Sequence, residues 1–138
     1  MKILLVNGVN LDMLGKREVR VYGADTLEEV ENTVIAYAKQ KGIEVEAFHS
    51  DVEGELCHKI HSGNYDGLIL NAGAYSHYSI ALRDAVACVN KPCVEVHISN
   101  LFSREEFRQK SVIAPVMKGV ITGFGVKGYL LAVDYFCL

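Results

Sequence analysis

The stretch KILLVN, residues 2–7, is almost wholly apolar and ends in an asparagine. A strand with one face in water alternates apolar and polar residues, so an unbroken apolar run predicts a strand covered on both faces, as in a parallel sheet. Four further runs predict strands: IEVEAF (43–48), GLILN (67–71), PCVEVHI (92–98) and GVIT (119–122). Residues 43–48 alternate strictly, which is typical of a half-exposed strand and favours an outer position in the sheet.

Helical periods separate these strands. Apolar residues recur at helical spacing between Thr26 and Gly42, and helices are also predicted over residues 80–89 and 126–136. A hydroxyl residue followed three positions later by Glu, the spacing of a capping box, predicts helix starts at Thr26, Ser50 and Ser103. Five strands separated by helices in 138 residues predict a single α/β domain over residues 1–138. The topology expected is a flavodoxin-like three-layer sandwich with a five-stranded parallel sheet in the order 2-1-3-4-5.

Composition and charge exclude several classes of protein. Seventeen acidic and fourteen basic residues give a net charge of −3 without a basic cluster, so we expect no nucleic-acid partner. The first apolar run is too short for a secretory signal and no run reaches membrane-spanning length, so we expect a cytoplasmic protein without membrane contact. The cysteines form no C-x-x-C pair and predict reduced packing residues. They are Cys57, Cys88, Cys93 and Cys137.

Polar residues follow three neighbouring strands of the predicted sheet. In such sheets ligands bind beyond the carboxyl ends of the strands, near the switch between strands 1 and 3. Any one of these residues alone would serve a turn or a helix cap. Together, with no phosphate-type glycine loop among them, they favour a polar pocket for a hydroxylated small molecule. They are Asn7, Asn10, Asn71, Gly73, His77, His97, Ile98 and Ser99.

Charged residues near this edge of the sheet allow two interpretations each. Glu95 and His97 share a face of their strand, so Glu95 either orients the His97 ring or forms a salt bridge with a neighbouring helix. Arg104 and Arg108 are four residues apart on a predicted helix and form either a solvated face or a site for a substrate carboxylate. Asp84 could accept hydrogen bonds from a diol.

Several known kinds of site are not supported. GFGVKG (123–128) matches a dinucleotide-binding pattern, but too few residues follow it for the second half of such a unit. His58 and His61 lack a third metal ligand and predict an exposed helix face. A phosphate-accepting receiver domain needs Asp where this chain has Asn71, and an FMN carrier needs a hydroxyl-rich loop after strand 1. A different lyase or hydrolase on the same scaffold stays an alternative.

Four motifs, in order, resemble those of the type II 3-dehydroquinate dehydratases. NGVNLDMLGKREVRVYG (7–23) resembles N-G-P-N-L-x-x-L-G-x-R-E-P-x-x-Y-G of that family. The other three are LNAGAYSHYSIALRDA (70–85), EVHISN (95–100) followed by REEFR (104–108), and GVITGFGVKGYLLA (119–132). The resemblance implies conversion of 3-dehydroquinate to 3-dehydroshikimate in the shikimate pathway, without metal or organic cofactor. It also implies a homododecamer built from trimers.

The resemblance also implies roles for individual residues. Tyr22 would remove the proton beside the ketone, and Arg17 occupies the family position of the cation that stabilises the phenolate, since tyrosine is a weak acid. Asn10 would stabilise the enolate through a bound water, and His97, backed by Glu95, would protonate the departing hydroxyl. The substrate-binding positions carried over are Asn71, Gly73, His77, Asp84, Ile98, Ser99, Arg104 and Arg108. Arg104 would also help to order a lid at residues 15–23.

The chain departs from the family pattern at a few positions. Val9 and Val19 replace two prolines, and Phe102 and Ser103 replace a His-Ala pair. None of these changes removes a catalytic side chain. Because proline restricts φ, its loss at two positions predicts a lid that orders less readily.

Overall fold

A computed structural model describes residues 1–138 and contains one five-stranded parallel sheet. Its strands are β1 (Lys2–Asn7), β2 (Glu44–His49), β3 (Gly67–Asn71), β4 (Cys93–His97) and β5 (Gly119–Thr122). They are hydrogen-bonded in the order β2-β1-β3-β4-β5. The predicted flavodoxin-like topology is confirmed, and β2 lies at the edge, as its alternating sequence predicted.

Helices cover both faces of the sheet. They are α1 (Val19–Tyr22), α2 (Leu27–Gln40), α3 (Glu53–Ser62), α4 (Ile80–Cys88) and α5 (Lys127–Cys137). Ile3 and Leu5 of β1 pack in the cluster that includes α2 and α5, while Leu4 and Val6 pack in the cluster of α3 and α4. Successive strand residues point to opposite faces, so the apolar run that opens the chain is buried on both sides. None of the helices has both the length and the apolar composition needed to cross a bilayer.

The start of α2 follows the predicted capping box. Thr26 Oγ1 accepts a hydrogen bond from the Glu29 backbone N–H at 3.2 Å, and the Glu29 carboxylate accepts one from the Thr26 N–H at 3.5 Å. Two backbone donors that the helix cannot satisfy internally are therefore paired. The capping box therefore sets the first residue of α2.

The capping box predicted at Ser50 is wrong. Helix α3 begins at Glu53 with Val52 before it, and no side chain caps it. Ser50 Oγ accepts from the Val52 backbone N–H at 2.9 Å and donates to Glu55 at 2.7 Å. The hydroxyl forms a local turn with the residue two positions on, a common competitor of helix capping.

The helix predicted from Ser103 is also wrong. Two separate 3-10 turns, Leu101–Ser103 and Glu106–Arg108, occupy the segment, and Arg104 is extended between them. The Ser103 hydroxyl donates to the Asn100 carbonyl at 2.9 Å and so does not cap a helix. Arg104 and Arg108 therefore do not share a helical face: Arg104 reaches the site from the extended backbone between the turns, and Arg108 from the second turn.

All four cysteines are free thiols. Cys93 on β4 is buried, and desolvation raises its pKa to about 11. Cys57 is half-buried, whereas Cys88 and Cys137 are exposed. The prediction of packing residues therefore holds for Cys93 and Cys57 and is wrong for the other two.

Candidate active site

A cavity of about 140 Å³ opens at the carboxyl ends of β1, β3 and β4. The strands are in register there, with Asn7 between His49 and Asn71. Eleven of the thirteen predicted site residues line the cavity: Asn10, Arg17, Tyr22, Asn71, Gly73, His77, His97, Ile98, Ser99, Arg104 and Arg108. Apolar side chains complete the wall, and only the first of them was named from the sequence: Val9, Leu11, Leu14, Ala74 and Leu101.

Glu95 lies behind His97 on β4. Its Oε2 is hydrogen-bonded to His97 Nε2, and its Oε1 accepts from the Ser111 hydroxyl at 3.0 Å. Glu95 is only 1% exposed and contacts no Lys or Arg. Of the two interpretations open from the sequence, the structure therefore supports orientation of the His97 ring. His97 Nδ1 is left without a hydrogen-bond partner within the chain.

A second histidine ring lies beside the first. His77 Nδ1 donates to the Lys110 carbonyl oxygen at 2.8 Å, which leaves Nε2 free of protein partners. The His77 and His97 rings are stacked, with centroids 6.3 Å apart and an interplanar angle of 21°. Two imidazole edges thus reach the same cavity wall.

Tyr22 carries two arginine neighbours. Arg104 Nη1 donates to the Tyr22 hydroxyl at 2.7 Å and lies 3.3 Å from Ser99 Oγ. The Arg17 guanidinium lies over the Tyr22 ring, 4.6 Å from its centroid. The resemblance assigned only Arg17 to this tyrosine and gave Arg104 to the lid, whereas in the structure Arg104 makes the contact with the hydroxyl.

The segment that carries Tyr22 contains a strained residue. Glu18 has φ 37° and ψ 51°, a left-handed conformation, and Val19 begins α1 directly after it. Proline suits the first position of a helix, but it disfavours the α conformations for the residue before it. Val19 is therefore compatible with the observed turn at Glu18, and a proline at this position would favour a different backbone.

The backbone at Asn10 is also left-handed, with φ 66°. Its N–H donates to Asp51 Oδ1 at 2.8 Å. His49 Nε2 lies 3.5 Å from the same oxygen and 3.9 Å from Asp12 Oδ1. Asp12, His49 and Asp51 are the residues that could hold a cation, since each offers one ligand atom within 4.8 Å of the others, but both aspartates are exposed and none of the three lines the cavity.

A buried hydrogen-bond chain connects the ends of β1 and β3. Asn71 Nδ2 donates to the Tyr129 hydroxyl at 2.8 Å, and that hydroxyl donates to Asn7 Oδ1 at 2.7 Å. Asn71 Oδ1 accepts from the Gly73 N–H at 3.1 Å. Burial raises the pKa of Tyr129 far above its usual value. Sequence reasoning missed Tyr129, because it occupies an apolar position of the closing helix.

The loops after β1 and β3 touch through glycine. Gly73 has φ +64°, and a Cβ there would lie 2.6 Å from the Val9 carbonyl oxygen. Gly8 is similarly pressed against Ala72. A side chain at either position would separate the two loops.

A family model described as "Dehydroquinase class II" matches residues 1–137. The chain belongs to the class II dehydroquinase family. The 3-dehydroquinate dehydratase of Thermotoga neapolitana is 52% identical over 135 residues, which cover 98% of this chain and 93% of the relative. These matches confirm the resemblance drawn from the four motifs.

Solved structures of type II dehydroquinases share the fold. The protein from Butyrivibrio crossotus superposes with a TM-score of 0.95 at 48% identity, covering 98% of this chain and 96% of its own. The type II dehydroquinase from Propionibacterium acnes superposes with a TM-score of 0.95 at 40% identity, covering 99% of this chain and 95% of its own. The flavodoxin-like sheet of this class II dehydroquinase is therefore that of its relatives.

Two predicted site residues of this class II dehydroquinase do not line the cavity. Glu95 lies behind His97. Asp84 is exposed on α4 and lies outside the cavity of a single chain. Arg108 does line it, and its Nε donates to Glu105 Oε2 at 2.6 Å, which raises the pKa of Arg108 and lowers that of Glu105.

Proposed function

We propose that this class II dehydroquinase converts 3-dehydroquinate to 3-dehydroshikimate, a step of the shikimate pathway, by anti elimination through an enolate. The observation that carries the proposal is one cavity faced both by a tyrosine hydroxyl held by an arginine and by a histidine backed by a buried carboxylate. Such a pair supplies a base and an acid. The names of the relatives, 3-dehydroquinate dehydratase and type II dehydroquinase, support the substrate.

Tyr22 is the proposed base. The guanidinium groups of Arg17 and Arg104 adjoin its ring, and both are in place to balance the negative charge of a phenolate. The phenolate oxygen takes the proton from the carbon beside the ketone. The electron pair of that C–H bond moves onto the ketone oxygen and gives an enolate.

Asn10 is the proposed stabiliser of the enolate, through a bound water. It lines the cavity, and its backbone is held by the hydrogen bond to Asp51. Donors directed at an oxygen that gains negative charge lower the barrier most when they are already in place.

His97 is the proposed acid. As the enolate collapses, the β C–O bond breaks, and the imidazolium gives its proton to the departing hydroxyl, which leaves as water. The Glu95 carboxylate stabilises the positive charge that His97 carries before this transfer. Side chains carry out both proton transfers, and the electron pair of the enolate expels the hydroxyl, so the proposal includes neither a metal nor an organic cofactor.

The other lining residues are proposed to bind the substrate. Asn71 and His77 present hydrogen-bonding groups to ring hydroxyls, Ile98 and Ser99 to the carboxylate region, and Arg108 to a further hydroxyl. Gly73 allows the close approach of the loop, and Arg104 joins Tyr22 to Ser99. Asp84, exposed on α4, stays a proposal from the family resemblance alone.

The proposal extends to the assembly and location of the protein. By family resemblance we propose a single catalytic domain, residues 1–138, that assembles as a cytoplasmic homododecamer, a tetramer of trimers. Exposed apolar side chains, such as Phe102 on the turn after β4 and Val120 on the edge strand β5, support burial between copies. A sizing measurement that gives a monomer at micromolar concentration would refute this assembly.

The activity is tested by adding 3-dehydroquinate and following the ultraviolet absorbance of the conjugated enone product. We expect turnover without added metal and in the presence of a chelator, and loss of most of kcat in Tyr22→Phe and in His97→Ala. Tyr78→Phe is the matched control, because Tyr78 is exposed and does not line the cavity. Near-normal activity of Tyr22→Phe would contradict the assignment of the base, and no turnover by the wild type would favour another lyase.

A further inference from the structure

The hydroxyl of Tyr129 is a buried polar group for which the proposed mechanism has no use. Tyr129 lies in the first turn of α5, is 0% exposed, and its ring packs within the apolar cluster between α5 and the sheet. Its hydroxyl reaches the carboxyl ends of β1 and β3, where Asn7 and Asn71 are register partners. Phenylalanine would fill the same apolar space, so packing alone does not explain a tyrosine here.

We infer that Tyr129 is a positioning residue that fixes which way the Asn71 side-chain amide faces the substrate. This inference rests on the proposed function, in which Asn71 binds a substrate hydroxyl. It deepens that function by adding a residue from α5, which contributes nothing to the cavity wall.

The Tyr129 hydroxyl has a single proton, which sets the donor and acceptor directions of the hydrogen bonds that join Asn71, Tyr129 and Asn7. Tyr129 donates that proton to Asn7 Oδ1, so toward Asn71 it can only accept. Asn71 must therefore point Nδ2 at Tyr129, and this orientation places Oδ1 where the Gly73 N–H donates to it. The second N–H and the second lone pair of the Asn71 amide are then the groups available to a ligand.

Removal of the hydroxyl frees both asparagines to rearrange. Asn7 Oδ1 would lose its donor, and Asn7 Nδ2 is already buried without a partner. Because Asn7 and Asn71 are adjacent in register, the two amides can then bond to each other. That contact would turn the Asn71 donor away from the ligand, and buried polar groups left unpaired favour such a rearrangement.

Tyr65 offers a matched control. It is also buried, at 4% exposed, and its hydroxyl donates to the Ile60 carbonyl oxygen at 2.7 Å. It packs in the cluster on the opposite face of the sheet and does not line the cavity. Tyr65→Phe therefore removes a buried, hydrogen-bonded hydroxyl from the same fold without touching Asn71.

The experiment compares steady-state kinetics on 3-dehydroquinate for wild type, Tyr129→Phe and Tyr65→Phe. We expect Tyr129→Phe to raise KM about 3- to 10-fold with kcat little changed, the loss expected for one misplaced hydrogen bond. Tyr65→Phe should leave both constants within about twofold. A KM for Tyr129→Phe that matches that of Tyr65→Phe would overturn the inference.

Two further measurements keep the test decisive. A crystal structure of Tyr129→Phe should show the Asn71 amide turned toward Asn7, and an unmoved amide would overturn the inference even if the wild type failed to act on 3-dehydroquinate. If Tyr129→Phe does not fold, Asn7→Ala removes the acceptor of the Tyr129 proton and keeps the ring. The hydroxyl can then donate to Asn71 Oδ1, so we expect a reversed amide and a raised KM, and the absence of both changes would overturn the inference.

Discussion

Glu95→Gln is the substitution that tests the acid end of the site most sharply. Both Glu95 oxygens are acceptors, one for His97 and one for the Ser111 hydroxyl. Ser111 Oγ already accepts backbone N–H groups from Ile113 and Ala114, at 3.3 and 3.1 Å, so its two lone pairs are occupied and it can only donate to residue 95. Glutamine has one acceptor oxygen and cannot serve both partners.

The outcome of the substitution is unfavourable in either orientation of the amide. If the amide oxygen faces His97, the NH₂ group meets an Oγ that has no free lone pair. If the NH₂ group faces His97, Nε2 must be an acceptor, so the imidazolium form is lost. Loss of one charge-assisted hydrogen bond corresponds to about 1.5–3 kcal/mol. Because a rise of 1.36 kcal/mol in the activation free energy slows a reaction tenfold, kcat should fall about 10- to 150-fold.

The assay is the appearance of the enone product at saturating 3-dehydroquinate, with circular dichroism to establish that the variant is folded. Glu46→Gln is the control, since Glu46 on β2 pairs with Lys59 at 2.8 Å and Lys2 at 3.2 Å, is partly exposed, and lies away from the cavity. A folded Glu95→Gln enzyme with kcat within about threefold of wild type would refute the reasoning.

Three further outcomes are expected. Arg104→Lys should lower kcat more than Arg17→Lys, because only Arg104 bonds to the Tyr22 hydroxyl, and an equal or reversed loss would reject that assignment. Thr26→Ala should reduce the free energy of unfolding in urea by about 1 kcal/mol through loss of the capping box, whereas an unchanged midpoint would argue against it. Burial raises the pKa of Tyr65 to about 12, while an unfolded tyrosine titrates near 10. The unfolded state thus loses this proton first, so stability should fall from about pH 10 to 12, and Tyr65→Phe should have a shallower dependence in alkaline urea titrations.

Patterns local to the chain predicted most of this fold. Each strand is a short apolar run, and three helix starts were predicted from a capping-box spacing. The order of the sheet was predicted from the alternation of strands and helices and from the topology that is usual for a chain of this length. The same locality explains the errors at Ser50 and Ser103, where the capping spacing is present but the hydroxyl bonds to a different backbone group, two residues on for Ser50 and three residues back for Ser103.

The parts of the site that the sequence did not reveal depend on distant contacts. Tyr129 meets Asn7 across 122 residues, and Asp51 meets Asn10 across 41. Ser111 supports Glu95 from a loop that carries no motif. Arg104 was placed near the lid by the family motif, but its bond to Tyr22 follows from an extended backbone between two turns, which its residue type does not encode.

The contact between the loops after β1 and β3 limits how this enzyme could be redesigned. Where Gly73 meets Val9, the Gly73 main chain lies against the Val9 carbonyl oxygen, and glycine has no side chain that could be shortened to make room for a bulkier compound. Directed evolution toward larger ring substituents should therefore find few useful changes on that side. Its successful variants should accumulate instead at Leu11, Leu14 and Leu101, which line the cavity with side chains that a substitution can shorten.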